Sequence, residues 1–169
     1  MEYETSLTDA TVRTADQDDT NEIMSLWDGY ADTLVDYDER FRIEEGGRVK
    51  WEDYFTNSLV NSSRGDILLA QRDEDVIGAL EVRVTGGHPV FKFGKHGMVY
   101  GHYVHPEYRG EGAGRALLEA AQEWFREKEM PFWRIEVLHG VEEEALYRDI
   151  GMKPMEVIYE KELVDDDAR

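Results

Sequence analysis

The sequence predicts a mixed α/β fold: antiparallel strands in the N-terminal part of one sheet, a parallel pair made by a strand–helix–strand crossover, and helices on both faces. Three observations carry this. Residues 67–71 and 76–84 are apolar or alternating runs separated only by Arg72, Asp73, Glu74 and Asp75, the pattern of a hairpin. Residues 98–104 form a further strand, closed by Pro106, and an amphipathic stretch over 112–128 separates it from an apolar run at 132–138. Strand–helix–strand implies a parallel crossover.

The remaining elements follow in chain order. Residues 11–13 predict a short first strand. Asp19 and Glu22 have the spacing of a capping box, and they open a helix whose stripe is Ile23, Trp27, Tyr30 and Leu34. A polar stretch over 36–47 leads to a second helix over 49–59, with Trp51, Phe55 and Leu59 four apart, and the polar run 61–65 ends it. Residues 85–89 read as loop. The helix over 112–128 directs Ala113, Leu117, Ala120 or Ala121, and Trp124 inward. A short helix over 142–149, stopped by Gly151, and a final strand over 155–163 complete the order. The whole, 1–169, reads as one domain with polar ends at about 1–9 and 164–169, long enough to bury a core without disulfide or metal.

Composition narrows the partners. The chain has 38 acidic and 19 basic residues, a formal net charge of -19, and six of the bases are lysine. Such an excess disfavours nucleic acid and anionic membranes, since a phosphate surface must be met with Lys and Arg. No cysteine, no membrane-length apolar run and no basic leader point to a soluble, cytoplasmic protein. The acidity has two readings: a cleft that draws a basic substrate, or a solvated surface suited to high salt. The spread of the acids over the chain favours the second.

The densest chemical signal lies between the strand at 98–104 and the helix that follows. Arg109, Gly110, Glu111, Gly112, Ala113, Gly114 and Arg115 place three glycines at alternate positions at a helix N-terminus, where main-chain N–H groups converge on an anion. No Gly-x-x-x-x-Gly-Lys-Ser/Thr occurs, so a P-loop is excluded. A dinucleotide-binding turn, and with it a nicotinamide-dependent oxidoreductase, fits less well: the spacing is not Gly-x-Gly-x-x-Gly, and Pro106 to Arg109 separate strand from glycines.

Arg109 to Gly114 match the Arg/Gln-x-x-Gly-x-Gly/Ala signature of the GNAT superfamily of acyl-CoA-dependent N-acetyltransferases. The flanks Tyr103 to Tyr108 and Arg115 to Leu118 resemble it too, as do Leu146-Tyr147, Ile150-Gly151-Met152 and, more weakly, Val76-Ile77-Gly78. The resemblance implies acetyl-CoA as co-substrate, its pyrophosphate on the main chain of Arg109, Gly110, Glu111, Gly112, Ala113, Gly114 and Arg115. By the same resemblance its pantetheine arm would pair with the backbone of Tyr103 and Val104 where the two parallel strands splay. It implies direct transfer to an amine of a small molecule or peptide, with Tyr147 as the acid for the leaving thiolate, and it makes a homodimer a reasonable expectation. The family often carries a base on the strand ending at Val104. Strict alternation puts Met98, Tyr100 and His102 on one face, which makes His102 the candidate, with Glu81 and Glu136 on neighbouring strands as further ones. Trp27 and Tyr30 could line the acceptor pocket, although such a stripe also suits a core. The histidines are not spaced for a metal: His102 and His105 fall on opposite faces and His88, His96 and His139 in loops. The pattern departs from the family at Gly140 and Val141, where an asparagine is common, and at Met152, where an aromatic is usual. A non-catalytic acyl-CoA-binding module of the same fold is the alternative. The low share of lysine resembles proteins of salt-accumulating haloarchaea.

Overall fold

One six-stranded sheet organises the chain, and its spatial order is its chain order. The strands are β1 (Glu2–Tyr3), β2 (Thr11–Thr14), β3 (Gly65–Arg72), β4 (Asp75–Thr85), β5 (His96–Val104) and β6 (Trp133–Ile135). The helices are α1 (Thr20–Tyr37), α2 (Gly47–Tyr54), α3 (Ala113–Glu127) and α4 (Glu144–Asp149). This computed structural model describes residues 1–60, 62–138, 140 and 144–163. They fall into two units, Met1–Leu138, which holds the whole sheet, and His139–Arg169. No helix among the described residues is long and apolar enough to cross a membrane.

The expected topology is present: β1 to β5 pair antiparallel and β5 pairs with β6 in parallel. Helices pack on both faces of the sheet. On one side Ile23, Leu26, Phe55, Leu59, Ile67, Leu69, Ala79 and Tyr103 form a contiguous core. On the other side lies α3, whose Leu117 reaches Gly78 and whose Phe125 covers Gly97. Burial of these apolar side chains, at about 1.5–3 kcal/mol each, holds both layers on the sheet.

Several boundaries differ from the sequence reading. The second helix is α-helical only through Tyr54. Phe55–Leu59 makes a π turn, with the Val60 N–H donating to the Phe55 carbonyl at 3.0 Å. Phe55 and Leu59, four apart and so on one helix face, are both buried. His96 is not in a loop: pairing of Thr85 with His96 extends the β4–β5 ladder, and the imidazole is buried and stacked on Phe132 at 5.1 Å. β6 is shorter than 132–138. Residues 155–163 form no strand, and Ile158 and Tyr159 are over nine-tenths exposed. An alternating run becomes a strand only beside a ladder partner, and among the described residues of the second unit there is none. Of the helix expected over 142–149, residues 142 and 143 lie outside the described residues, as do His139 and the tail from 164; the rest is α4.

The largest departure lies inside β5. Glu81 pairs with Tyr100 and Ala79 with Tyr103, so Leu80 alone on β4 stands opposite both Gly101 and His102. This is a β-bulge, and Gly101 takes φ +60, a left-handed angle that suits glycine. The extra residue reverses the alternation beyond it. Gly97 faces α3, whereas Tyr103, six residues on, faces α1, where its hydroxyl lies against Gly29.

The Gly97 position has no room for a side chain, because a Cβ there would penetrate the ring of fully buried Phe125. Gly97→Ala is expected to lower unfolding stability by about 1–3 kcal/mol, read as a reduced urea midpoint with unchanged slope.

Candidate functional site

The parallel ladder is short. Its last register pair is Val99 with Ile135, yet β5 continues five residues further to Val104. From Tyr100 onward the β6-facing edge of β5 has no strand partner among the described residues, so its main-chain groups are left for something else. The chain then turns through a short 3-10 segment, Pro106–Tyr108, into the glycine loop. Arg109 closes this corner. Its Nε donates to the Val104 carbonyl at 2.9 Å, and its guanidinium carbon lies 5.4 Å from the Tyr103 ring centroid.

Gly112 is the N-cap of α3 at φ +98, and it supplies no side chain to cap the first turn. The first intrahelical bond runs from the Ala116 N–H to the Gly112 carbonyl at 3.0 Å. N–H groups ahead of it have no intrahelical acceptor, which gives this end of the helix its affinity for anions. A Cβ at Gly110 would meet nothing within 4 Å, so the loop faces open space. The acid inside the loop is turned aside: Glu111 pairs with Arg72 at 2.5 Å, and Arg72 also holds Asp9 at 3.0 Å and lies over the Tyr108 ring. The hairpin end thus staples the loop and neutralises the charge that would oppose an anionic guest. Uncapped donors, open space and a neutralised acid fit the pyrophosphate of a CoA thioester.

His102 is not on the face of Met98 and Tyr100. The bulge turns it toward α3, where its Nε2 lies 3.1 Å from the Gly114 carbonyl. A carbonyl only accepts, so Nε2 carries the hydrogen in this pair. Burial lowers the imidazole pKa to about 4, with the Gly114 bond opposing the shift. A histidine neutral at physiological pH with its proton donated to the glycine loop braces the loop; it is poorly placed to take a proton from a substrate on the other face.

That other face holds Glu81 and a group of tyrosines. The Tyr54 hydroxyl donates to Glu81 Oε1 at 3.1 Å, Arg83 Nε donates to the same oxygen, and only 12% of the Glu81 side chain is exposed. Burial and the neighbouring Glu81 carboxylate push the Tyr54 phenol up to about 12. Tyr30 and Tyr100 are also raised, by burial first and then by Glu136, which places the Glu136 charge near both rings. Glu136 itself is exposed and lies one residue past β6. Tyr30 meets Tyr103 edge-on at 6.4 Å, while Trp27 stacks on Trp51 at 5.2 Å and Trp51 on Phe55 at 6.1 Å. Tyr30 therefore stands beside the candidate site, and Trp27 belongs to an aromatic stack leading into the core.

Tyr147 lies on α4 in the second unit, half-buried, and its carbonyl accepts from the Met152 N–H at 2.9 Å. Val141 lies outside the described residues. Sequence reasoning missed Arg83, Tyr54 and Arg72. For Arg83 the signal was available: two residues from Glu81 on a strand, it shares Glu81's face.

Comparison with known proteins agrees with this geometry. The model of the acetyltransferase (GNAT) family matches residues 26–152, so the chain belongs to that family. It is 35% identical over 79 residues to an aminoglycoside N(6')-acetyltransferase type 1 of Stenotrophomonas maltophilia, covering 43% of this chain and 48% of that one. The match thus spans about half the length of that enzyme. An uncharacterized N-acetyltransferase of Archaeoglobus fulgidus is 26% identical over 117 residues, 69% of this chain and 74% of its own. The fold is shared with a predicted acetyltransferase of Clostridium acetobutylicum solved with acetyl-CoA: TM-score 0.71 and 18% identity, over 91% of this chain and 96% of that one.

The His102 shift gives a pH dependence. Its folded pKa lies below the ordinary value of 6.5, so the unfolded chain binds the proton more tightly, and the native state loses stability as pH falls from 6.5 through about 4. The loss attributable to His102 is expected to be of the order of 2–3 kcal/mol. Urea titrations at pH 7 and pH 4.5 should show a smaller difference in His102→Gln than in the native sequence.

Proposed function

We propose that the protein is an acetyl-CoA-dependent N-acetyltransferase that moves the acetyl group directly to a primary amine of a small molecule. The observation that carries this reading is the uncapped N-terminus of α3, opened by Gly110 and Gly112 beside the unpaired end of β5. Family membership supports it, as does the acetyl-CoA in the Clostridium structure of the same fold. The aminoglycoside relative supports a small cationic acceptor, in keeping with the chain's net negative charge. Acidity and the low share of lysine also support activity retained at molar salt.

In this reading the main chain from Arg109 to Arg115 holds the pyrophosphate, Tyr103 and Val104 offer backbone groups to the pantetheine arm, and His102 braces the loop through Gly114. The co-substrate supplies an activated acyl group, a thioester. Glu81, on the face away from α3, takes a proton from the acceptor ammonium. The freed amine nitrogen forms a bond to the acyl carbon, the carbon–sulfur bond breaks, Tyr147 gives its phenolic proton to the thiolate, and the second proton leaving the nitrogen restores the phenol. Bringing amine and thioester together supplies the largest part of the rate, since the nucleophile needs no covalent relay.

Acetyl-CoA at about a hundredfold over its Kd is expected to raise Tm by roughly 5–11 °C, because it binds only the native state. Gly112→Val should abolish that shift, since a branched residue at φ +98 distorts the loop. Absence of a shift in the native sequence would remove the co-substrate from the reading.

For the proton transfers, Tyr147→Phe and Glu81→Gln should each lower kcat by about a hundredfold while leaving the acetyl-CoA thermal shift intact. A native chain that binds acetyl-CoA yet releases no CoA with any amine in a broad panel would instead be a binding module.

A further inference from the structure

Glu81 is met by a cation held between two rings. The Arg83 guanidinium carbon lies 5.1 Å from the centroid of Tyr54 and 5.1 Å from that of Tyr100, while its Nε pairs with the carboxylate. Two π faces and one carboxylate around a single cation are what a recognition site for an organic cation is made of. Here the chain fills that site with its own side chain. The occupant is held loosely in one respect: 43% of the Arg83 side chain is exposed, against 12% for Glu81, so the guanidinium forms the outer wall and the carboxylate the floor. An arginine on the solvent side of its ion pair can swing out when a second cation takes its place, since exchanging one cation for another leaves the Glu81 carboxylate paired throughout. What it would uncover is a half-buried carboxylate that accepts from Tyr54, flanked by two ring faces and, near Tyr100, by the charge of Glu136.

We propose that Arg83 is a displaceable internal stand-in for the acceptor's cationic group: the acceptor's alkylammonium or alkylguanidinium replaces the Arg83 guanidinium between Tyr54 and Tyr100 and pairs with Glu81. The inference rests on the reading of this face as the acceptor side, and it names the class of acceptor. The reacting nitrogen must be cationic when it arrives, because only a cation competes with a guanidinium for this box. It must also lack an adjacent carboxylate, which Glu81 and Glu136 would repel. Alkylamines and amino sugars satisfy both conditions, whereas free α-amino acids and aryl amines do not. Arg83 is thus a specificity-determining residue: it keeps Glu81 paired, and a neutral or anionic visitor cannot dislodge it.

The test needs no acetyl donor. Ethylguanidinium chloride and propylammonium chloride are titrated, with chloride held constant, into the native protein, Arg83→Ala and Arg83→Met, and binding is read from the NMR shifts of the tyrosine rings. Both variants are expected to bind the two cations about tenfold more tightly than the native chain, since the competing guanidinium is gone. Adding Glu81→Gln to either should erase the gain. With an acetyl donor present, KM for propylamine should fall in Arg83→Met while KM for glycine stays high. If the variants melt as the native chain does but bind no more tightly, the box is not a cation subsite and the proposal is overturned. If neither variant folds, Arg83 is a structural strut that cannot be displaced, which overturns it equally. Intact binding with no acetyl transfer to any amine would count against the transferase reading alone.

Discussion

A single inserted residue in β5 sets the terms for the rest of the site. Paired strands alternate strictly, so a strand that must serve the core at one end and present side chains to two different faces at the other needs a change of phase. Gly101 supplies it at φ +60. Upstream, Gly97 gives way to Phe125 of α3 and Val99 makes the last parallel pair. Downstream, His102 reaches the first turn of α3 and Tyr103 turns to α1. The brace on the glycine loop and the turn of Tyr103 toward α1 are therefore both placed by the same distortion, which lies just past the last parallel pair with β6.

Much of the fold was legible because its signals are local. The hairpin, the amphipathic α3 and the alternate glycines each declare themselves within a dozen residues, and the order of elements then leaves few topologies. The bulge was not legible, and it reassigned His102: counting alternate residues presumes a regular strand, and only the partner strand reveals the extra residue. The apolar alternation of 155–163 misled in the opposite way, since a pattern fit for a ladder says nothing about whether a partner is available. His96 looked like a loop residue because glycines and a proline precede it, whereas β5 begins at His96 itself, through its pairing with Thr85. Glu81 could be named, but not its setting: the carboxylate's partners come from a helix 27 residues earlier in the chain and from a neighbour two residues along the strand.

Anion affinity in so acidic a chain must be local. The net charge of -19 works against a polyanion at long range, so the loop depends on donors that act at contact distance: the helix N-terminus, Arg109 at the corner and Arg72 on Glu111. Placing the compensating arginine on the β3–β4 hairpin ties the shape of the loop to the stability of the sheet. A change at the hairpin end therefore reaches the loop through an ion pair instead of through packing.

The sequence holds no Asp or Glu between Glu81 and Glu107, a span that includes all of β5. Set in an otherwise negative molecule, this stretch is a gap in the outer field. Repulsion from the remaining acids acts over roughly the Debye length, about 10 Å at 0.1 M salt, whereas donors in contact with a bound anion are screened far less. Added salt consequently strips away the barrier to approach before it weakens the grip. Capture of a polyanion should then quicken as ionic strength rises, the reverse of ordinary electrostatic steering. A brine is then the medium in which a polyanion reaches the glycine loop fastest.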